Sequence, residues 1–196
     1  TINKKDKWIT NFLSRNRTHL IRSQYDSIMS TSKSINKDNS SLNCRLKGFN
    51  NNKPDLIIID LKLKIKMNLK LFKITQKRKT LIITSTIKSK KIDNLRKKGI
   101  KIIYIKTLVT KNDFKYLFKI LKRYGYNRIL VESGLIFLNK LLKERLINNL
   151  YMFQSFYKLK NFGFNNTSNN FIKKIKLNKK INVNLNGDKL YKIKIN

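Results

Sequence analysis

Ile129-Leu130-Val131-Glu132-Ser133-Gly134-Leu135 is the stretch on which the fold of this chain turns. A short apolar run gives way to a carboxylate, then to two small residues, then to the helix-like pattern of Leu135–Arg145. An apolar run of strand length followed at once by 3.6-residue periodicity reads as strand, tight turn and helix. That unit builds parallel α/β sheets. Ligands of open α/β sheets gather at the carboxyl edge of the strands, where Glu132 stands. The unused N–H groups of a new helix can hold a phosphate, and Gly134 lets it approach the backbone. The same seven residues equally describe a ligand-free crossover in which Ser133 only caps the helix.

The rest of the chain repeats the alternation. Upstream, Asn11–Gln24 reads as a helix capped by Thr10 or Asn11, with Leu13, Arg17, Leu20 and Ile21 on one stripe. Ser27–Thr31 follows as a short strand. Ser32–Asn51, rich in Ser, Asn, Asp and Lys, is expected to be a long loop with one helical turn. Pro54 opens the buried strand Asp55–Asp60, and the alternation of Leu61–Lys66 suggests an edge strand. Thr80–Thr84 is a further strand, Ser89–Lys98 a helix stopped by Gly99, and Ile100–Ile105 a strand. Asn112 is expected to cap a helix whose Phe114, Leu117, Phe118 and Leu121 share one face and which ends at Gly125. Downstream, Asn149–Phe156 is strand-like. The tail Asn169–Asn196 alternates apolar and basic residues around Asn186-Gly187-Asp188, a hairpin turn. The fold class is therefore α/β, a mostly parallel sheet flanked by helices with a C-terminal β-hairpin.

Composition narrows the chemistry. The 196 residues favour one domain, and 40% of them are hydrophobic, enough for a core. No apolar run approaches the roughly 20 residues that cross a bilayer, so no membrane role is expected. The single cysteine, Cys44, excludes an internal disulfide, and the single histidine, His19, excludes a Cys/His zinc cage; both fit a reducing cytoplasm, and no metal site is expected. A zinc deaminase site is excluded on the same ground. The net charge of +36 first suggests a nucleic-acid partner. Yet the chain has no Ala, one Pro and six Gly and is saturated with Lys, Asn and Ile, the signature of an AT-rich genome. The basic residues are also spread along the whole chain rather than gathered in a stripe. Nucleic-acid binding is thus the lesser alternative.

Two arginines, Arg22 and Arg45, flank Asp38. Arginine grips phosphate through two parallel charge-assisted bonds, each worth roughly 1.5–3 kcal/mol. Two arginines among 46 basic residues fit a solvated surface as well. Trp8 suits cofactor stacking or core packing, His19 an exposed helix position, and Cys44 a packed loop position.

In order along the chain, Trp8-Ile9-Thr10, Arg22–Met29, Ser34–Arg45, Pro54–Asp60, Leu130–Gly134, Leu141–Leu150 and Asn186-Gly187-Asp188 resemble the reductase domain of the bifunctional riboflavin-biosynthesis deaminase/reductase family. The resemblance implies a dihydrofolate-reductase-like fold and NADPH-dependent reduction of 5-amino-6-(5-phosphoribosylamino)uracil, with hydride delivered to C1′ of the ribose. It implies cofactor contacts at Trp8, Ser34, Asp38, Gly134, Leu135 and Ile136. Substrate contacts fall at Asp6, Arg22, Leu42, Arg45 and Glu132, with the arginines near the phosphate. Asp38 and Glu132 are the candidate catalytic residues, either of which would orient the proton source. A homodimer and a deaminase, fused or separate, are further family expectations.

The chain also departs from the family. The strand expected before Trp8 is absent, so residues 1–196 are expected to be one N-terminally incomplete reductase domain without the deaminase. Ser133 replaces a Gly, Leu135 a Pro and Ile136 a Thr in the turn, and Asn39 replaces a second Asp. The basic charge keeps an RNA- or ribosome-binding protein open as an alternative, and these changes keep open a decayed, inactive reductase domain.

Overall fold

Unbroken apolar runs build a sheet that is parallel throughout. The computed structural model describes residues 9–49, 53–73, 77–156 and 175–195. Its first five strands are β1 (Ser27–Thr31), β2 (Asp55–Ile59), β3 (Thr80–Thr84), β4 (Lys101–Tyr104) and β5 (Ile129–Val131). They lie in the order β4-β3-β2-β1-β5, every neighbouring pair parallel. The chain steps outward from β1 to β4 and then returns to lay β5 against the other side of β1. The strand order therefore reverses at β1. Every residue of β2 and β3 is buried, as expected of parallel strands covered on both faces. Ile28, Leu56, Ile58 and Ile82 form the core with Ile92, Leu95 and Ile100 from the following helix–strand unit.

The helices are α1 (Phe12–Ser23), α2 (Ser32–Asp38), α3 (Lys90–Lys97), α4 (Lys111–Arg123) and α5 (Leu135–Lys143). The chain divides into two compact units, Thr1–Thr18 with Leu135–Asn196 and His19–Gly134; the parallel sheet belongs to the latter. Among the described residues no helix is long and apolar enough to cross a membrane.

Four local expectations are corrected. Ser32–Asp38 is a full helix rather than one turn in a loop, because Thr31 caps it, its side chain accepting from the Ser34 N–H, and Asn39 closes it in the left-handed region at φ 45°. Leu61–Lys66 is not an edge strand. Its backbone is held by side chains instead: Asp60 accepts from the N–H groups of Lys64 and Ile65, and Asn36 accepts from Lys66 and donates to the Lys64 carbonyl. The cap of α4 is Thr110, not Asn112, because Thr110 and Asp113 form a reciprocal capping box. On α1, Asn11 is the cap, its Oδ1 accepting from the Ser14 N–H at 3.0 Å. There Ser14 is buried and Leu13 exposed, against the expected stripe, whereas Ile21 is buried as expected.

The reason lies in the tail. In that unit β6 (Asn149–Gln154) pairs antiparallel with β7 (Lys189–Lys194), in register from Asn149–Lys194 to Gln154–Lys189. Before the Asn186-Gly187 turn, both residues of which have positive φ, a single bridge joins Lys180 to Tyr191. Residues 169–174 of the expected hairpin lie outside the described residues. Asp188, just past the turn, is buried. Its carboxylate accepts from Ser14 Oγ at 2.6 Å, Asn11 N at 3.0 Å and Phe156 N at 3.0 Å. Serine is needed at position 14 because it faces this carboxylate.

Burial pushes the Asp188 carboxyl up, but the hydrogen bonds from Ser14, Asn11, Phe156 and Ser155 outweigh it and hold the group below its usual value. A depressed folded-state pKa contributes stability that is present above the unfolded value of about 3.9 and is lost as pH falls through the folded value. Thermal melting of Asp188→Asn across acidic pH is therefore expected to show a flatter acid limb than the parent. Parallel limbs would remove this role.

Candidate active site at the carboxyl edge

Glu132 is the first residue past β5, and its N–H still donates to the Met29 carbonyl of β1 at 2.9 Å. It therefore stands at the carboxyl edge where the strand order reverses, the place at which open α/β sheets bind ligands. Arg22, in the last turn of α1, meets it fork to fork: Nε donates to Oε1 and Nη2 to Oε2, each at 2.7 Å. The side chains are only 12% and 23% exposed, so the pair is screened far less than a surface ion pair. The remaining nitrogen of Arg22, Nη1, donates to the Asn43 carbonyl at 3.0 Å.

His19 lies one turn before Arg22, on the same face of the helix. Its Nδ1 is 3.0 Å from the Asn43 carbonyl and its Nε2 is 3.4 Å from Nη2 of Arg45. A carbonyl only accepts and a guanidinium only donates. The ring satisfies both when Nδ1 carries the proton and Nε2 offers its lone pair. Burial lowers the pKa of His19, and the charges of Arg22 and Arg45 lower it further, against the opposing Asn43 carbonyl and Glu132. The ring is therefore neutral at neutral pH. Arg45 itself is exposed.

The segment that presents Asn43 and Arg45 is held from its other side by Arg78, which is buried. Nη2 of Arg78 donates to the Ser41 carbonyl at 2.6 Å, and Nη1 to the Leu42 carbonyl at 2.9 Å and to the Pro54 carbonyl at 3.3 Å. Burial pushes the Arg78 pKa down to about 10, with Asp55 opposing and Arg22 assisting. Asp55, also buried, accepts from Tyr126 Oη at 3.1 Å and from Lys53 Nζ at 3.0 Å. Three successive carbonyls, those of Ser41, Leu42 and Asn43, thus point at the guanidinium groups of Arg78 and Arg22. Leu42 adopts a left-handed backbone at φ 49° with its side chain in the core cluster.

The helix that follows β1 and the turn that follows β5 are tied together. Gly134 N donates to Ser34 Oγ at 2.9 Å, and Ser34 Oγ lies 3.1 Å from Thr31 Oγ1. A Cβ on Gly134 would stand 3.4 Å from that hydroxyl oxygen. The expected phosphate donor at Gly134 is therefore already engaged by a side chain. Asp60, at the carboxyl edge of β2, is spent on Ser32 Oγ and on the backbone of Lys64 and Ile65.

The structure brings together Arg22, Glu132 and Arg45, the last by way of His19, and separately Ser34 and Gly134. Asp38 is the exposed last residue of α2 and joins neither group. Leu135 and Ile136 open α5, are exposed, and belong to the other compact unit. Asp6 and Trp8 lie outside the described residues. His19 is not a plain exposed helix position, and Arg78 was hidden in the basic run Lys77-Arg78-Lys79. The spacing of His19 three residues before Arg22 is the signal that could have drawn it in; for Arg78 the sequence carries none.

Residues 1–155 match the family described as the RibD C-terminal domain. The chain belongs to the RibD C-terminal domain family. It is 30% identical over 164 residues to the riboflavin biosynthesis protein RibD of Buchnera aphidicola subsp. Baizongia pistaciae, a match covering 77% of this chain and 42% of that protein. With RibD of Aquifex aeolicus it shares 27% over 153 residues, covering 78% of this chain and 41% of that one. The chain thus spans about two fifths of the length of these RibD relatives. Among solved structures, Acinetobacter baumannii RibD superposes with a TM-score of 0.75 at 17% identity, covering 97% of this chain and 52% of that chain. The riboflavin biosynthesis reductase of Saccharomyces cerevisiae does so with a TM-score of 0.69 at 21% identity, covering 94% and 81%. At such identities the likeness carries the fold, and it is the expected one: a parallel α/β sheet with a C-terminal antiparallel pair. Membership of the RibD C-terminal domain family favours the reductase expectation over a nucleic-acid partner.

Proposed function

We propose that this chain reduces 5-amino-6-(5-phosphoribosylamino)uracil to its ribitylamino product, using NADPH, within riboflavin biosynthesis. The observation that carries this is the Arg22–Glu132 fork at the strand-order reversal, with Arg45 exposed beside it, in a chain of the RibD C-terminal domain family. A solved Thermotoga maritima protein of the same fold, whose name is that of a diaminohydroxyphosphoribosylaminopyrimidine deaminase and 5-amino-6-(5-phosphoribosylamino)uracil reductase, supports the choice of substrate.

The edge fits an anionic dinucleotide electrostatically. The carboxylates of Glu132 and Asp60 are each occupied by internal partners, and Ser34, Thr31 and Gly134 present neutral groups. Ser34 and Gly134, with Trp8, Asp38, Leu135 and Ile136, would hold NADPH, which supplies the hydride when bound. Glu132, held by Arg22, accepts from the donor groups of the substrate. Both edges of Arg22 are committed, so Arg45 is the guanidinium that binds the substrate phosphate. Asp6 and the backbone at Leu42 complete the substrate contacts. Of the two candidate catalytic carboxylates, that of Asp38 has no hydrogen bond or ion pair among the described residues, and it is assigned the orienting of the proton source. The deaminase step falls to another segment or another chain, and the active form is a homodimer.

Two measurements test this. NADPH at 100 times its Kd is expected to raise folding stability by about 2.7 kcal/mol; no thermal shift and no turnover would favour a decayed domain. Arg45→Ala is expected to raise the substrate KM about tenfold or more, the loss of one charge-assisted contact, with the NADPH KM little changed. Equal rises in both would refute the phosphate role.

A further inference from the structure

We propose that His19 is a positioning residue whose imidazole aims Arg45 at the substrate phosphate; this rests on the substrate assigned above. Arg45 is exposed and long, and a free arginine there would sample many rotamers. The ring of His19 restrains its guanidinium end. Nε2 of His19 faces Nη2 of Arg45 at 3.4 Å and offers it a lone pair. The ring is in turn fixed by the helix it sits on and by the Asn43 carbonyl, 3.0 Å from Nδ1. That carbonyl also accepts from Arg22. The imidazole is thus a neutral spacer between two guanidinium groups. It hydrogen-bonds one of them and shares an acceptor with the other, and it adds no charge to a site already holding two.

A lysine or arginine in its place would add a third cation against Arg22 and Arg45. An alanine would leave Arg45 without an acceptor. Glutamine can place its amide oxygen near the position of Nε2 and restore the acceptor for Arg45, whereas asparagine reaches only the position of Nδ1 and the Asn43 carbonyl. The two substitutions therefore separate the hold on Arg45 from the hold on the loop.

The test is calorimetric titration of ribose 5-phosphate into the full chain, for the parent and for His19→Ala, His19→Gln, His19→Asn and Arg45→Ala. His19→Ala and His19→Asn are each expected to weaken binding about tenfold, the loss of a hydrogen bond to a charged group, while His19→Gln stays within about threefold of the parent. The substrate KM in steady-state assays is expected to follow the same order with kcat little moved. Binding by His19→Asn as tight as by His19→Gln would overturn the proposal, because loop anchoring alone would then suffice. If Arg45→Ala weakens binding and His19→Ala does not, the role of His19 falls and the substrate assignment stands. If Arg45→Ala binds like the parent, the substrate assignment itself falls.

Discussion

Alanine at Arg22 is expected to lower folding stability by about 3 kcal/mol and turnover on the order of 10²-fold. The first figure follows from what is left behind. Both oxygens of Glu132 lose their charge-assisted partners at 2.7 Å, on a side chain that is only 23% exposed. A surface pair would be worth only about 0–1 kcal/mol, and burial decides for the larger value. The Asn43 carbonyl suffers less, because His19 still faces it. The second figure follows from geometry. Glu132 sits on a backbone fixed to β1, and among the described residues Arg22 is the hydrogen-bond partner that fixes the direction of its carboxylate. Arg22→Lys separates the two effects, since an ammonium can partly neutralise Glu132 but cannot engage both oxygens in a fixed plane. It should recover much of the stability and little of the turnover. Urea titration of Arg22→Ala, Glu132→Ala and the double variant closes the cycle, with a coupling of about 2 kcal/mol expected. Strictly additive losses would mean that the fork contributes nothing beyond its separate side chains.

The parts of this protein that were legible in its sequence are those set by short-range pattern. Ser27–Thr31 and Thr80–Thr84 are strands with the expected bounds because an apolar run between polar turns has one way to be buried in a parallel sheet. Where side chains replace backbone as hydrogen-bond partners, the pattern misled. The Leu61–Lys66 alternation suggested a strand, but Asp60 and Asn36 had already taken its backbone groups. Ser14 broke the apolar stripe of α1 because its partner, Asp188, lies 174 residues away. The site was legible at Glu132, whose position follows from the strand–turn–helix unit, and at Arg22 and Arg45 through resemblance. It was not legible at Arg78. In a chain with 46 basic residues, no local property separates a buried guanidinium from a solvated one.

Arg78 is also where opposing terms must be weighed. Burial has lowered its pKa to about 10 from an ordinary 12.5, so folding disfavours the charged form. By linkage, that disfavour is in force at neutral pH, where the group is charged in both states, and is relieved only as pH rises past the folded value towards the unfolded one. An apolar replacement removes this cost, and such replacements of buried ions are often neutral or stabilising. Here it also strips donors from the carbonyls of Ser41, Leu42 and Pro54. An unsatisfied buried carbonyl costs about 1–3 kcal/mol. Leu42 is further held in a left-handed conformation that costs a non-glycine residue about 1–2 kcal/mol. Orphaned carbonyls therefore outweigh the relief of charge. Arg78→Met is expected to lose about 3 kcal/mol in urea titration, with Arg78→Lys close to it, because one ammonium cannot span three carbonyls in a fixed fork. As the loop slackens, Asn43 and Arg45 move with it, so the substrate KM should rise on the order of tenfold while the NADPH KM holds. A variant that keeps both its stability and its substrate KM would show that the segment from Ser41 to Arg45 is shaped without this guanidinium.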